Sequence, residues 1–367
     1  MKQLKLLVFF LLYFFSLSSF SQSNKQIDVI AYYTGENEQI NKYEVDKLTH
    51  IIYSFCHLKN GKLNVDTAKD SLTIKHLVSL KTSNPKLKIM LSLGGWGGCE
   101  LCSNAFSTAE GRTVFARSVK EANDYFKTDG LDLDWEYPTI EGYPGHLFQP
   151  ADRKNFTELI KILRNTLGNT NELSFAAGGF QKYLDESVEW KIIMPLVDRV
   201  NIMSYDLVNG YSKVTGHQAA LYSENPEAES TERAVNYLLK LGIPPSKLVI
   251  GGAFYTRIWK NVPNINHGLY QEGDHIDGVP FKEYGTYFTE LNGWIYYWDK
   301  KVQAGYWYNE KEKKFATGDD ILSMKAKTNY AIKKNLGGIM FWEIVLDSYQ
   351  NGLLNAIYIT RKSVTDK

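Results

Sequence analysis

Residues 129–138 read DGLDLDWEYP and place three carboxylates at alternate positions of one short apolar run. Asp132, Asp134 and Glu136 alternate with leucine and tryptophan. Because alternate side chains of an extended strand share a face, the three acids point the same way. Such a face is solvated in many antiparallel sheets but buried in a sheet that is covered on both sides. The kind of sheet therefore decides whether the three acids are solvated or buried.

The rest of the chain predicts a covered, parallel sheet. Short apolar runs alternate with helical patterns, and one of these patterns repeats at i, i+3, i+4 and i+7 through Phe156, Leu159, Ile160, Leu163 and Leu167. Eight such units predict a (β/α)₈ TIM barrel, an α/β fold of about 250 residues, with a doubly wound sheet as the alternative. The eight runs are VIAYYTG (29–35), HIIYSFCHL (50–58), KIMLSLGGW (88–96), DGLDLDWEYP (129–138), ELSFAAGGF (172–180), RVNIMSYDL (199–207), LVIGGAFYTR (248–257) and GGIMFWEI (337–344).

The chain has 367 residues, and the interval between the seventh and eighth runs holds much of the surplus over a plain barrel. Within it, GWIYYWDKKVQAGYWYNEKEKKF (293–315) is typical of aromatic hairpin strands. We therefore predict a small α+β insertion at 258–317. The barrel is predicted to occupy 22–257 and 318–367, and a signal peptide 1–21.

The N-terminus predicts export. Lys2 and Lys5 precede an apolar run that ends at Phe15, and Ser19 and Ser21 suit the positions that a signal peptidase recognises. The run is short for a membrane span, although an uncleaved anchor is an alternative. The mature protein would be periplasmic, surface-associated or extracellular, with no stable membrane span.

The composition narrows the range of possible binding partners. The formal net charge is +1, which does not favour a nucleic-acid partner. Aromatic residues make up 14% of the chain and belong either to a large core or to a surface that stacks on sugar rings. We expect a monomer.

Three cysteines are present. Cys99 and Cys102 could form a small disulfide in an exported chain, and a redox-active C-x-x-C pair is the alternative. No nearby histidine completes a zinc site. Cys56 lies in an apolar run and is expected in the core.

Inside a barrel, grouped carboxylates repel one another and lose solvation, which raises pKa values. Glu136 falls at the C-terminal end of its strand, where barrel active sites lie. A raised pKa would keep it protonated, as a general acid requires. Acid-assisted glycoside cleavage fits this pattern, and so does a carboxylate-bound Mg²⁺. LGGWGG (93–98) lacks the GK[ST] ending of a phosphate loop, so the metal alternative is weaker.

At these residues the sequence resembles glycoside hydrolase family 18, in its chitinase branch. Residues 129–136 match the DGxDxDxE signature, and 92–95 look like the third-strand SxGG motif that begins at Ser92. Residues 203–206 look like the sixth-strand MxYD motif, and Trp342 lies where the family has its eighth-strand tryptophan. The long seventh interval resembles the family's α+β insertion domain.

The resemblance implies a substrate-assisted, retaining mechanism without metal or cofactor. Glu136 would protonate the leaving oxygen and then activate water. Asp134 would orient the acetamido N–H of the substrate, and Asp132 would share charge and a proton with it. Tyr205 would hydrogen-bond the acetamido oxygen. Asp129 would support the strand end rather than contact sugar.

Further residues are implied in binding chitin or N-acetylglucosamine oligosaccharides. Trp342 would form the floor under the cleaved sugar, and Trp96 would stack on the leaving-group side. Tyr255 and Arg257 match a YxR pattern, with threonine where glycine is frequent. The remaining pocket residues are Asp206, Met203, Tyr32 and Phe55.

Three functions remain open from the sequence. The first is an exported chitinase that cleaves β-1,4 bonds between N-acetylglucosamine units. The second is an endo-β-N-acetylglucosaminidase acting on N-glycans. The third is a chitin-binding lectin, against which the presence of Glu136 argues. A metal-dependent enzyme is a distant fourth.

Overall fold

The computed structural model describes residues 26–225 and 227–365. The predicted signal peptide at 1–21 lies outside these residues. The strands of the described chain are β1 Asp28–Tyr33, β2 His50–Lys59, β3 Lys62–Asn64, β4 Lys88–Gly94, β5 Gly130–Asp134, β6 Glu172–Gly178, β7 Arg199–Met203, β8 Leu248–Ala253, β9 Thr256–Lys260, β10 Asp274–Asp277, β11 Trp294–Asp299, β12 Ala304–Asn309, β13 Lys314–Gly318 and β14 Gly338–Trp342.

Within the described residues, eight parallel strands form a closed barrel in the order β1, β2, β4, β5, β6, β7, β8 and β14. The barrel closes where β1 pairs with β14, with Asp28 opposite Gly338. Each of the eight apolar runs contributes one strand, so the predicted (β/α)₈ barrel is confirmed and the doubly wound alternative is wrong. The short β3 pairs antiparallel with the end of β2.

Helices connect most of the barrel strands. The helix predicted from the spacing of Phe156 to Leu167 forms, and these residues are its buried face. The α-helices of the described chain are α1 Ala68–Ser79, α2 Cys102–Ala105, α3 Ala109–Phe126, α4 Asp152–Leu167, α5 Gln181–Glu186, α6 Trp190–Ile193, α7 Thr231–Lys240, α8 Tyr284–Tyr287, α9 Ile321–Lys333 and α10 Leu353–Thr365. None of the helices in the described part of the chain is both long and apolar enough to cross a membrane.

Alternation along the strands separates two cores. Val29, Ala31 and Tyr33 of β1 belong to the large apolar cluster that includes the buried faces of the helices. Ile30 and Tyr32 belong to a separate cluster with residues from β2, β4, β8 and β14, which is the interior of the barrel. Tyr32, the penultimate residue of β1, therefore lies near the C-terminal mouth.

Between β8 and β14 the chain forms a five-stranded antiparallel sheet in the order β10, β9, β13, β12 and β11. Its two faces carry separate aromatic clusters, one with Trp294 and Trp307 and the other with Trp259 and Tyr308. The sheet begins at Thr256 and ends at Gly318. This insertion stands beside the mouth of the barrel, because β9 follows directly on the end of β8.

Candidate active site

The three carboxylates of DGLDLDWEYP lie at the C-terminal mouth of the barrel. Asp132 and Asp134 are in β5 and are 0% and 3% exposed, respectively. Glu136 follows the end of the strand and is partly buried. The face that they share is therefore buried rather than solvated.

Asp132 is held by four donors from four strands. Oδ2 accepts from Tyr32 OH at 2.9 Å and from Ser92 Oγ at 3.2 Å. Oδ1 accepts from Ser174 Oγ at 2.6 Å and from Asn201 Nδ2 at 3.0 Å. Burial raises the pKa of Asp132, and these four hydrogen bonds oppose the rise because they favour the ionised form.

Asp134 is buried without comparable support. Its Oδ1 has no hydrogen-bond partner among the described residues. Burial, followed by the charges of Glu136 and Asp132, raises the pKa of Asp134 well above its usual value. The site therefore favours the protonated form of Asp134, and the described residues supply no donor to its buried Oδ1.

Glu136 has the proton affinity of a general acid. Burial raises its pKa from 4.5 to about 7, the interaction with the Tyr137 side chain opposes this, and the charge of Asp206 adds to it. At neutral pH the carboxyl group is therefore divided between its protonated and ionised forms. A group with this pKa can donate a proton in one step and accept one in the next.

Aromatic and thioether side chains line the barrel beneath these acids. Trp342, at the end of β14, stacks on Phe55 with ring centroids 5.5 Å apart and lies 5.8 Å from Tyr32. Met203, Tyr205 and Trp342 all pack on the interior cluster of the barrel. Tyr205 directs its hydroxyl toward the sulfur of Met340 at 3.9 Å, a weak contact that a stronger acceptor could replace.

Asp206 binds two other residues of the predicted site, Arg257 and Tyr255. Arg257 donates from Nε at 2.7 Å and from Nη2 at 2.8 Å to the two carboxylate oxygens. Tyr255 donates its hydroxyl to the same carboxylate at 2.7 Å. This bidentate, charge-assisted arrangement joins the β7 loop to the start of the insertion.

Trp96 lies on the loop that follows β4 and is 47% exposed. Its ring is surrounded by three tyrosines, Tyr137 at 6.4 Å, Tyr143 at 5.7 Å and Tyr211 at 6.3 Å between centroids. Beside Trp96 and Tyr143 is a cavity of about 770 Å³, and Phe55 and His57 line both this cavity and a second one of about 330 Å³. The exposed faces are available to flat, apolar ligand surfaces.

Asp129 is placed away from the site. It accepts hydrogen bonds from Lys81 Nζ at 2.8 Å and from the backbone N–H of Ile89 at 2.8 Å, at the N-terminal end of β4. Its side chain therefore joins the starts of two strands. Cys99 and Cys102 form a disulfide, and Cys56 is a buried free thiol.

Comparison with known protein families shows to which family this chain belongs. The family described as glycosyl hydrolases family 18 matches residues 28–347, which is most of the chain. The chain belongs to glycosyl hydrolases family 18. The predicted resemblance and the prediction of a glycoside hydrolase are both confirmed at this level.

Relatives within family 18 cover most of the chain. Chitinase A1 of Niallia circulans is 34% identical over 295 residues, covering 74% of this chain and 42% of the relative. Chitotriosidase-1 of Mus musculus is 31% identical over 335 residues, covering 84% and 68%. The chain thus spans less than half of Chitinase A1.

Solved family 18 structures superpose on nearly the whole fold. An N-acetylglucosaminidase from Paenibacillus barengoltzii has a TM-score of 0.81 at 34% identity, covering 91% of this chain and 99% of that one. Chitinase ChiA74 from Bacillus thuringiensis has a TM-score of 0.85 at 27% identity, covering 92% and 70%.

Several residues of this family 18 site were not predicted. Ser174 and Asn201 contact Asp132. The sequence contained a signal for both, because each is a polar residue at an inward position of an apolar run. Tyr143 and Tyr211 lie on loops, where no periodicity indicates direction. Glu343, which accepts hydrogen bonds from the backbone and hydroxyl of Thr34, follows Trp342 and ties it to the end of β1.

Among the described residues, no group of three or more histidine, cysteine, aspartate or glutamate side chains is arranged to hold a metal ion.

Proposed function

We propose that this protein is an exported chitinase that hydrolyses β-1,4 bonds between N-acetylglucosamine units by a substrate-assisted, retaining mechanism. The observation that carries the proposal is the unequal support of two neighbouring acids. Asp132 has four hydrogen-bond donors, whereas Asp134 is buried with Oδ1 unpartnered beside Glu136. Asp134 therefore lacks a hydrogen-bond donor, and the N–H of an acetamido group would supply one.

Glu136 begins the reaction as the acid. With a pKa of about 7 it is protonated in a large fraction of molecules at neutral pH, and it donates this proton to the glycosidic oxygen as the C1–O bond breaks. The acetamido oxygen of the same sugar attacks C1 and forms a cyclic oxazolinium ion.

Asp134 orients the acetamido group. An N–H donated to the Asp134 carboxylate stabilises its ionised form and lowers the pKa that burial has raised. The negative charge then faces the positive charge that develops on the oxazolinium ring. The charge of Asp132, which lies next to it, is one of the causes that raise the pKa of Asp134.

Tyr205 and Trp342 complete the cleaved-sugar site. Among the described residues, the hydroxyl of Tyr205 contacts the sulfur of Met340 at 3.9 Å, and a nearby acetamido oxygen would be a stronger acceptor. Trp342 offers an aromatic face at the mouth for the apolar side of the sugar ring. In the second half of the reaction, ionised Glu136 removes a proton from the water that attacks C1, so the configuration is retained.

The substrate class and the location rest on separate observations. Relatives named chitinase support chitin as the substrate. The N-terminal pattern of two lysines, an apolar run and small residues supports export, and so does a disulfide in the folded chain.

Product analysis tests this proposal. Wild-type protein, Glu136→Gln and the exposed-site control Glu141→Gln are incubated with chitin oligosaccharides and, separately, with a high-mannose glycoprotein. We expect oligosaccharide cleavage by the wild type and the control, and its loss in Glu136→Gln. Trimming of the glycoprotein alone would assign the N-glycan function, and binding without cleavage of either substrate would assign the lectin.

A second candidate differs only in the point of cleavage. The structural neighbour from Paenibacillus barengoltzii is an N-acetylglucosaminidase, and 99% of its chain is covered. Release of single N-acetylglucosamine units from chain ends is therefore the alternative to internal cleavage. Product lengths early in the same reaction distinguish the two.

A further inference from the structure

Trp96 lies on a glycine-rich loop. The loop follows β4, and Gly94, Gly95 and Gly97 all have positive φ angles, which glycine adopts readily. Trp96 is 47% exposed, so its own packing restrains it only in part. The groups that pack behind the loop therefore help to set the orientation of its ring.

The disulfide is the first brace. Cys99 and Cys102 are 3% and 0% exposed, and they close the loop immediately after Trp96. A Cβ atom at Gly94 would lie 3.3 Å from Cys99 Sγ and 2.1 Å from the backbone oxygen of Asp134. The sulfur thus packs directly behind the strand ends that carry Trp96 and Asp134.

Hydrogen bonds provide the second brace, one residue further on. Ser103 Oγ, fully buried, lies 2.9 and 3.0 Å from the two carboxylate oxygens of Asp152. Gln149 donates its side-chain amide to Ser103 Oγ at 2.8 Å and its backbone N–H to Asp152 at 2.8 Å. Asp152 begins α4, so these bonds tie the Trp96 loop to the loop at 139–151.

The second loop carries Tyr143, whose ring meets that of Trp96 edge to face at 5.7 Å. Both rings line the cavity of about 770 Å³. The disulfide and the buried hydrogen bonds therefore hold two loops whose aromatic residues line one cavity.

We propose that the Cys99–Cys102 disulfide and the Ser103–Asp152 hydrogen bonds are positioning elements that hold Trp96 and Tyr143 ready to stack on the sugar of the leaving-group side. This inference rests on the proposed function. Pre-organised rings lose less conformational freedom when a sugar binds, so the braces contribute to affinity. They do not alter the proton transfers at Glu136.

The test uses two variants, Cys99→Ala/Cys102→Ala and Ser103→Ala. The matched control is Ser118→Ala, which removes another buried hydroxyl, one that accepts from Leu63 N–H and donates to Phe115 O on α3. Each protein is assayed with a chitin hexasaccharide and with the oxazoline of di-N-acetylchitobiose, which carries no sugar on the leaving-group side. Calorimetric binding of the hexasaccharide supplies a readout that needs no turnover.

For both test variants we expect the KM and Kd for the hexasaccharide to rise about fivefold, on the scale of one lost aromatic contact, with kcat nearly unchanged. Oxazoline hydrolysis should stay within about twofold of the wild type, as should every parameter of the control. An equal loss on both substrates would assign the braces to general stability, and an unchanged hexasaccharide Kd would overturn the proposal.

Failure of the proposed function gives a different result. Wild-type protein would then bind the hexasaccharide without cleaving it, and the calorimetric comparison among the variants would still decide whether the braces position the rings. If the double cysteine variant does not fold, Ser103→Ala alone carries the same comparison, because it leaves the disulfide in place.

Discussion

Replacing Glu136 by glutamine should make the protein less active and, above neutral pH, more stable. The change is nearly isosteric and removes the group assigned as the acid, so we expect kcat to fall by about 10²- to 10⁴-fold. The gain in stability has a separate cause. The fold holds this carboxyl group where its ionised form is poorly solvated, and glutamine does not ionise.

The raised pKa sets the size of the stability gain. A pKa that rises from 4.5 to about 7 corresponds to about 3 kcal/mol, since one pH unit is worth about 1.4 kcal/mol. The folded state binds this proton more tightly than the unfolded chain does. Its contribution is therefore fully present below pH 4.5 and is lost as the pH rises through about 7.

Wild-type protein and Glu136→Gln should consequently be equally stable near pH 4 and should differ by about 3 kcal/mol near pH 8. For a chain of this length, that difference amounts to about 4 °C in Tm. Thermal or urea unfolding across this pH range measures it. Glu141→Gln, which removes an exposed carboxylate five residues later, controls for the loss of a negative charge.

The reasoning would be refuted by a Tm difference that stays constant across the pH range. It would also be refuted by a variant that is less stable than the wild type at pH 8, because the glutamate would then be stabilised by contacts in its ionised form. A control that reproduces the pH dependence would show that net charge, rather than desolvation at Glu136, is responsible.

Three other substitutions test separate parts of the site. Asp134→Asn should reduce kcat for N-acetylated substrates by about 10²-fold or more while raising Tm at neutral pH, and near-normal turnover would contradict its orienting role. Asn201→Leu should cost about 1–3 kcal/mol in urea unfolding, because Asp132 loses a buried donor, and an unchanged midpoint would contradict this. Arg257→Lys should raise KM with little change in kcat, because lysine cannot pair with both oxygens of Asp206. Steady-state kinetics measures both constants, and a fall in kcat instead would mean that the pair acts in catalysis.

The barrel could be predicted because its information is local. Each strand is a continuous apolar run, and the run at 129–138 carries its acids at every second position. Ser174 and Asn201 were equally visible, as polar residues within apolar runs. Their contact with Asp132 could not be predicted, because an apolar run indicates that a residue faces inward but not which strand lies across the barrel.

The loops were harder to predict for a physical reason. Tyr143 and Tyr211 meet Trp96 only because loops from three strands bend toward one another at the mouth. Similarly, Arg257 was predicted to contact sugar, and its bidentate pairing with Asp206 depends on how the insertion follows β8. Such contacts join residues whose separation in sequence has no fixed period.

The unequal treatment of the three acids explains how one short strand can hold them together. Were Asp132, Asp134 and Glu136 all ionised, their repulsion in a buried site would destabilise the fold. The four donors around Asp132 come from β1, β4, β6 and β7, and they oppose its desolvation, while Asp134 has no comparable set. The hydrogen bonds thus oppose protonation of the deepest acid, whereas burial favours protons on Asp134 and Glu136. Because a substrate N–H would reverse that preference at Asp134, binding itself would create the negative charge that the reaction requires.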